Sequence, residues 1–261
     1  NGNLGEPPPN LIRTTLATPL FRASSNDCFT FDHRTFAEAL GANFLADLSV
    51  PQLRGIFFDE GSSGPRAVPQ LSELAAWVAL GNGDFFDFLI ANDPQVLLKA
   101  DVSQSQADRK SELVWAILDG AEDGSVFDDW SDWPNYSSLA HPEISEQLKP
   151  FLSDSSKNPV VRRIAFKLVA ECKVTDLRDQ IWEVIEREDE GDRAIVGAIA
   201  DALKAMPGGG FEEELLTKLA AAISIDPEGE IKAAILSVLV PEFNSLGDVI
   251  GYLSPGPRTI N

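Results

Sequence analysis

Few side chains in this sequence have the chemistry of a catalyst. The two histidines, His33 and His141, lie far apart. Neither stands in a His-Glu-x-x-His arrangement, the spacing that sets two imidazoles on one helical face around zinc. The two cysteines, Cys28 and Cys172, fit no metal or redox spacing. They read as reduced intracellular thiols, which makes a cytoplasmic location the expectation. No Gly-x-x-x-x-Gly-Lys-[Ser/Thr] occurs, so the cradle of backbone N–H groups and the lysine that hold a nucleotide's phosphates are missing. Gly61-Ser62-Ser63-Gly64 does not have the spacing of a nucleophile elbow. Asp119-Gly120-Ala121-Glu122-Asp123-Gly124 has the look of a calcium loop, but it lacks the acid at the third position, and Trp130 stands where the bidentate glutamate belongs. A solvated acidic loop is the reading that remains. The expectation is therefore a chain that is not an enzyme, with no catalytic residue, no metal ligands and no cofactor of its own.

A different chemistry is concentrated in Phe127-Asp128-Asp129-Trp130-Ser131-Asp132-Trp133-Pro134-Asn135-Tyr136. Aromatic side chains in an acidic, proline-containing loop have two readings. Trp130, Trp133 and Tyr136 either anchor a protein partner, as aromatics do at interfaces, or plug one helical section onto the next. Trp77, Trp115 and Trp182 lie in amphipathic runs and read as core.

The bulk composition narrows the partners. The 261 residues carry 41 acids against 21 bases, a net charge of −20. Nucleic-acid surfaces depend on clustered Lys and Arg, and anionic membranes attract them, so neither partner is expected. No apolar stretch has the length to cross a bilayer. The first residues, Asn1 to Asn10, are rich in proline and lack both a signal peptide's pattern and an initiator methionine. They read as a flexible lead-in, and the chain as part of a longer polypeptide.

The elements that must position these residues are mostly helical. Leu20-Phe21-Arg22 and Cys28-Phe29-Thr30-Phe31, separated by Ser24-Ser25-Asn26-Asp27, predict a β-hairpin. Everything after it reads as helix. Apolar periodicity places helices from Thr35, capped by Asp32, and over 51–58, 68–80, 85–91, 107–118, 143–152, 160–171, 177–187, 194–205, 212–223 and 231–239. Gly61 to Pro65 and Gly208-Gly209-Gly210 are loops by composition.

The second half repeats itself. Asn158-Pro159-Val160-Val161-Arg162 realigns near Asp226-Pro227, with Arg162 on Lys232 and Ala165 on Ile235, a shift of 70 residues. Half that shift, 35 residues, lands on Gly197, Ala200 and Leu203. Each unit then holds an outer helix, a turn and an inner helix with small residues on its packing face. The Asn/Asp-Pro-x-x-x-Arg/Lys start resembles HEAT repeats, whose usual period is about 40–47 residues.

A second resemblance rests on Phe29-Thr30-Phe31-Asp32-His33-Arg34-Thr35-Phe36-Ala37-Glu38-Ala39-Leu40. It is similar to the winged-helix end of NACHT-type STAND NTPases, where an aromatic strand runs into His-x-[Ser/Thr]-Phe-x-Glu. Leu16 to Phe21 looks like the strand that pairs with it. Val68-Pro69-Gln70-Leu71, Glu73 to Ala79 and Asp93 to Asp101 are similar to the helices that follow the NACHT module. The chain departs from the pattern at Ala39-Leu40-Gly41-Ala42, where the family has Phe-Leu-Ala-Ala.

The resemblance implies a mainly α chain: a short N-terminal β-hairpin, a helical bundle, then a HEAT-like α-α superhelix of about three pairs. Residues 1–49 would be the winged-helix remnant, 50–140 the post-NACHT helical region and 141–261 the HEAT-like repeats. Its function would be that of a non-catalytic sensor or signal-coupling segment of a NACHT-family signalling ATPase. Its partner would be the remainder of the same polypeptide or another protein, and ATP or ADP would bind only in the full-length parent. There His33 would touch the ADP phosphate. The alternative for His33 is a brace for the helix at Thr35, and the alternative for the whole chain is a stand-alone helical-repeat scaffold that binds a protein.

Overall fold

The computed structural model describes residues 7–25, 28–59, 65–126, 135–186, 193–206 and 236–238. The described chain is mainly helical, with a small antiparallel hairpin near its N-terminus. It divides into two compact units, residues 1–100 and 101–261. The packing boundary thus falls inside the segment expected as one post-NACHT region.

The first described element is a helix, α1, over Pro9–Leu16, which takes in the end of the expected lead-in at Pro9 and Asn10 and the first residue of the strand expected over Leu16–Phe21. Pro9 sits in the first turn, where its missing N–H costs nothing. Thr14 and Thr15 each donate a hydroxyl to the carbonyl one turn back, at 2.9 Å. The hairpin follows as β1 (Phe21–Ser25) and β2 (Cys28–Phe31), in the register Phe21↔Phe31, Arg22↔Thr30 and Ala23↔Phe29. The Phe21 and Phe31 rings meet across the ladder at 4.8 Å.

Helix α2 (Arg34–Leu45) packs on α4 (Ser72–Gly81), and α3 (Val50–Phe57) on α5 (Gly83–Asn92). Phe58 leaves the helical run to open a second ladder, β3 (Phe58–Asp59) against β4 (Arg66–Ala67). This corrects the expectation of helix throughout. Strands of two residues are too short for an alternating pattern to register. Phe57, Phe58, Phe85 and Phe88 form the aromatic core, with centroids 5.7 Å apart for Phe57–Phe85 and 5.2 Å for Phe58–Phe88. The buried Asp93 ends α5, and its Oδ2 accepts the Ala67 N–H at 3.0 Å, tying β4 to the helix.

In the second unit α6 (Ala107–Asp123) runs a turn beyond its expected end at Leu118, so the acidic Asp119–Asp123 segment is helix rather than loop. Gly124 stops it in the left-handed region at φ +81. Then come a 3₁₀ turn at Tyr136–Leu139, α7 (Ile144–Ser153), α8 (Pro159–Glu171), α9 (Arg178–Glu186) and α10 (Arg193–Lys204). Asn158 caps α8 as its sequence suggests, accepting the Val160 N–H at 2.9 Å. Helix α8 packs most extensively on α10, and α7 packs on both α8 and α9. Both pairs of starting residues, Ile144 to Arg178 and Pro159 to Arg193, are 34 residues apart. Residues 236–238 are helical, while the expected helix at 212–223 and the rest of that at 231–239 lie outside the described residues.

One offset recurs in the polar contacts between stacked elements. Arg34 Nη2 donates to Gln70 O, Asn82 Nδ2 to Ala46 O, Gln147 Nε2 to Ser111 O and Asn158 Nδ2 to Glu122 O, each across 36 residues. A side chain of one helix pair thus meets the backbone of a neighbouring pair, the later pair for Arg34 and the earlier one for the other three.

Three substitutions test these joints. A Cβ on Gly120 would stand 2.6 Å from Val126 Cγ2, so Gly120→Ala is expected to lower urea stability by about 1–3 kcal/mol. Gly124 has open space but a positive φ, so Gly124→Ala is expected to cost only the backbone penalty, about 1–2 kcal/mol. Burial raises the Asp93 carboxyl above its ordinary value, against the Ala67 N–H, Arg66 and Lys99. A raised carboxyl contributes stability below its unfolded value that is lost as pH rises through the folded one. Asp93→Asn, which keeps an acceptor for Ala67, should therefore gain on the parent between acidic and neutral pH in urea titrations.

Candidate functional site

His33 occupies the N-cap position of α2, between the hairpin and the helix, but makes no capping bond there. Asp32, expected as the cap, contributes its backbone N–H to Leu20 O instead, at 2.9 Å. The His33 side chain is 72% exposed, with Nε2 3.6 Å from Asp32 Oδ2 and the ring edge-on to Phe36 at 6.1 Å. The imidazole is thus exposed, with Nε2 on the side of the Asp32 carboxylate.

The helix below His33 has two unlike faces. Glu38 and Ala42 are buried, and Arg34 Nε grips the Glu38 carboxylate at 2.5 Å. The glutamate of the His33 motif thus serves packing and an ion pair. Phe36, Leu40 and Phe44, spaced one turn apart, are exposed, Phe44 by 81%. Phe29 on β2 and Leu11 and Ile12 on α1 are exposed as well. Such an apolar row is unusual on a chain of net charge −20, which otherwise favours solvation.

The aromatic stretch is described only at its end. Trp130 and Trp133 lie outside the described residues. Tyr136 is fully buried in the second unit. Around it lies a polar network that sequence reasoning missed. Lys110 is buried on α6, and its Nζ donates to Ser103 O at 2.6 Å and Ala140 O at 3.3 Å. Gln147 of α7 donates to Ser111 O and Oγ at 3.1 and 2.8 Å, while its Oε1 faces His141 Nε2 at 2.8 Å. His141 Nδ1 lies 2.8 Å from Leu139 O. Cys172 Sγ donates to Tyr136 O at 3.2 Å, again across 36 residues. Glu171 accepts the backbone N–H groups of Ser137 and Tyr136, and its carboxyl is nevertheless raised by burial. The 3₁₀ turn at Tyr136–Leu139 is thus held from α6, α7 and α8 together. The sequence signal for this was only a lysine and a glutamine on apolar helix faces.

Comparison of the chain with protein-family models, curated proteins and solved structures finds no match. Among the described residues no group of three or more His, Cys, Asp and Glu side chains is placed to hold a metal, and no helix is long and apolar enough to cross a membrane. Of the tryptophans expected in the core, Trp77 is half-buried and Trp115 is 39% exposed, its ring 6.0 Å from that of Phe151. The side chain of Trp182 lies outside the described set.

The two thiols provide a direct check. Cys28 is exposed, whereas burial and the neighbouring Glu171 push the Cys172 thiol up to about 12 against a weaker opposing pull from Lys110. Because the thiolate is the nucleophile, an aromatic disulfide reagent at mildly alkaline pH should titrate one thiol in the folded protein and two in urea. Two fast thiols in buffer would contradict the packing around Tyr136. Lys110→Met, which strips a charged donor from two carbonyls, is expected to lower urea stability by about 1–3 kcal/mol.

Proposed function

We propose that this chain is a non-catalytic coupling segment made of stacked helix pairs, working by protein–protein or intramolecular contact. The observation that carries the reading is the exposed row Phe36, Leu40 and Phe44 on α2, beginning one turn from an exposed His33. An apolar row of this kind marks a contact surface more readily than a solvated one. Small stacked helices positioned by polar joints hold such a surface rigid, which suits transmission of a displacement.

The resemblance of the His33 segment supplies the occupant. We take it to be the nucleotide-binding module of a NACHT-type parent polypeptide, seated against α2, with His33 at its phosphate. On this reading the second unit is a HEAT-like section that carries the signal onward, and the parent, not this segment, binds ATP and ADP. An exposed imidazole is chemically suited to donate a hydrogen bond to an anionic phosphate.

The tests separate this from a self-contained scaffold. The chain by itself should show no ATP turnover and no thermal shift with ADP or ATP; sustained turnover would overturn the reading. In a parent polypeptide carrying a phosphate-binding loop upstream, His33→Ala should speed ADP release and raise basal activity. Phe36→Ser with Phe44→Ser should loosen the same module, while the chain alone melts at nearly its original temperature. An unchanged ADP off-rate in both variants would leave a scaffold for some other protein as the surviving account.

A further inference from the structure

Asn82 is followed by Gly83, at the junction between α4 and α5. In an asparagine–glycine pair the side-chain amide carbon is open to the next backbone nitrogen, because glycine has no Cβ to obstruct the approach. In the folded unit this amide is fully engaged. Nδ2 donates to Ala46 O at 2.8 Å and to Leu48 O at 2.9 Å, and Oδ1 accepts the Phe85 N–H at 2.9 Å. The orientation is forced, since a carbonyl only accepts and a backbone N–H only donates. Both Ala46 and Leu48 belong to the turn that follows α2, so one half-buried amide ties that turn to the start of α5.

We propose that Asn82 is a deamidation site gated by the fold, closed while this joint is made and open when it parts. The only co-reactant is water. The Gly83 nitrogen bonds to Asn82 Cγ, the Cγ–Nδ2 bond breaks, and ammonia leaves with the proton that Gly83 gives up. A five-membered succinimide remains. Water then adds to one of its two carbonyls and opens the ring, leaving aspartate or its β-linked isomer. Neither product can rebuild the joint. Where the amide donated twice, a carboxylate oxygen now faces the Ala46 and Leu48 carbonyl oxygens, two acceptors with no proton between them and the new charge. The conversion is a one-way record that the first unit has opened at this point.

The experiment incubates the full chain at mildly alkaline pH, in buffer and in urea, and follows the amide-to-acid mass gain at Asn82 by peptide mapping. Reaction through an open form is scaled by how seldom that form occurs, so conversion in buffer should be at least about tenfold slower than in urea. Gly83→Ala should slow the reaction in urea, which assigns it to attack by that backbone nitrogen. Equal rates in buffer and urea would overturn the gating. For the consequence, Asn82→Asp should lower the urea midpoint of the chain by more than Asn82→Ser, which keeps a capping oxygen and adds no charge. If Asn82→Asp does not yield folded protein, wild-type chain deamidated in urea and returned to buffer reports the same quantity. A deamidated chain as stable as the parent would overturn the claim that the joint is lost.

Discussion

Helices as short as α3 and α8, with 8 and 13 residues, bury too little apolar surface to stand alone, and each of these two is helical because a neighbour covers it. Everything else in this molecule follows from how those neighbours are held. Apolar contact between helix faces is nearly indifferent to sliding, whereas a hydrogen bond to a particular carbonyl is not. Arg34 to Gln70, Asn82 to Ala46, Gln147 to Ser111 and Asn158 to Glu122 each fix one helix pair on the preceding one at the same 36-residue step. Each bond leaves a partner stranded if it breaks, so its contribution to register exceeds its modest net contribution to stability.

The same logic explains where charge is buried in so acidic a chain. Glu38 is covered because Arg34 spans it and continues to a carbonyl of the next pair. Lys110 is covered because two carbonyls receive its protons at the approach to the 3₁₀ turn that carries Tyr136. In both cases a long side chain brings its own donors to acceptors that the irregular backbone would otherwise leave unpaired. These residues are structural, and their cost is tolerated because they close the turns between stacked helices.

Helix positions were legible in the sequence wherever a face repeats every third and fourth residue and a cap marks the end. Asn158-Pro159 at the start of α8 is the clearest instance, and the pairing of β1 with β2 was legible from the two apolar runs, although Ser24 and Ser25, expected in the turn, belong to β1. What was not legible had no periodicity to offer. Helix α1 has no buried residue, so no apolar stripe announced it. The β3–β4 ladder is two residues long, and its partner strand lies beyond a loop. The end of α6 depends on the left-handed backbone at Gly124, while the acids before it favour solvent whether coiled or helical. The candidate site divides in the same way. His33 was visible because its motif is contiguous in sequence, whereas the outward turn of Phe36, Leu40 and Phe44 was not, and the network joining Lys110, Gln147, His141 and Cys172 is assembled from three helices and a turn.

The exposure of α2 is best understood against its opposite face. Toward α4 the helix presents Glu38, Gly41 and Ala42, small or paired groups; a Cβ on Gly41 would meet Leu74 at ordinary contact, 3.6 Å. Toward solvent it presents Phe36, Leu40 and Phe44. Had the bulky residues been needed for the fold, the order of the faces would be reversed, because large side chains give the greater gain when buried. A sequence that assigns its small residues to the inner contact and its aromatics to the outside has separated two requirements on one helix. The inner face packs on α4, and the outer face takes no part in the described packing of the first unit.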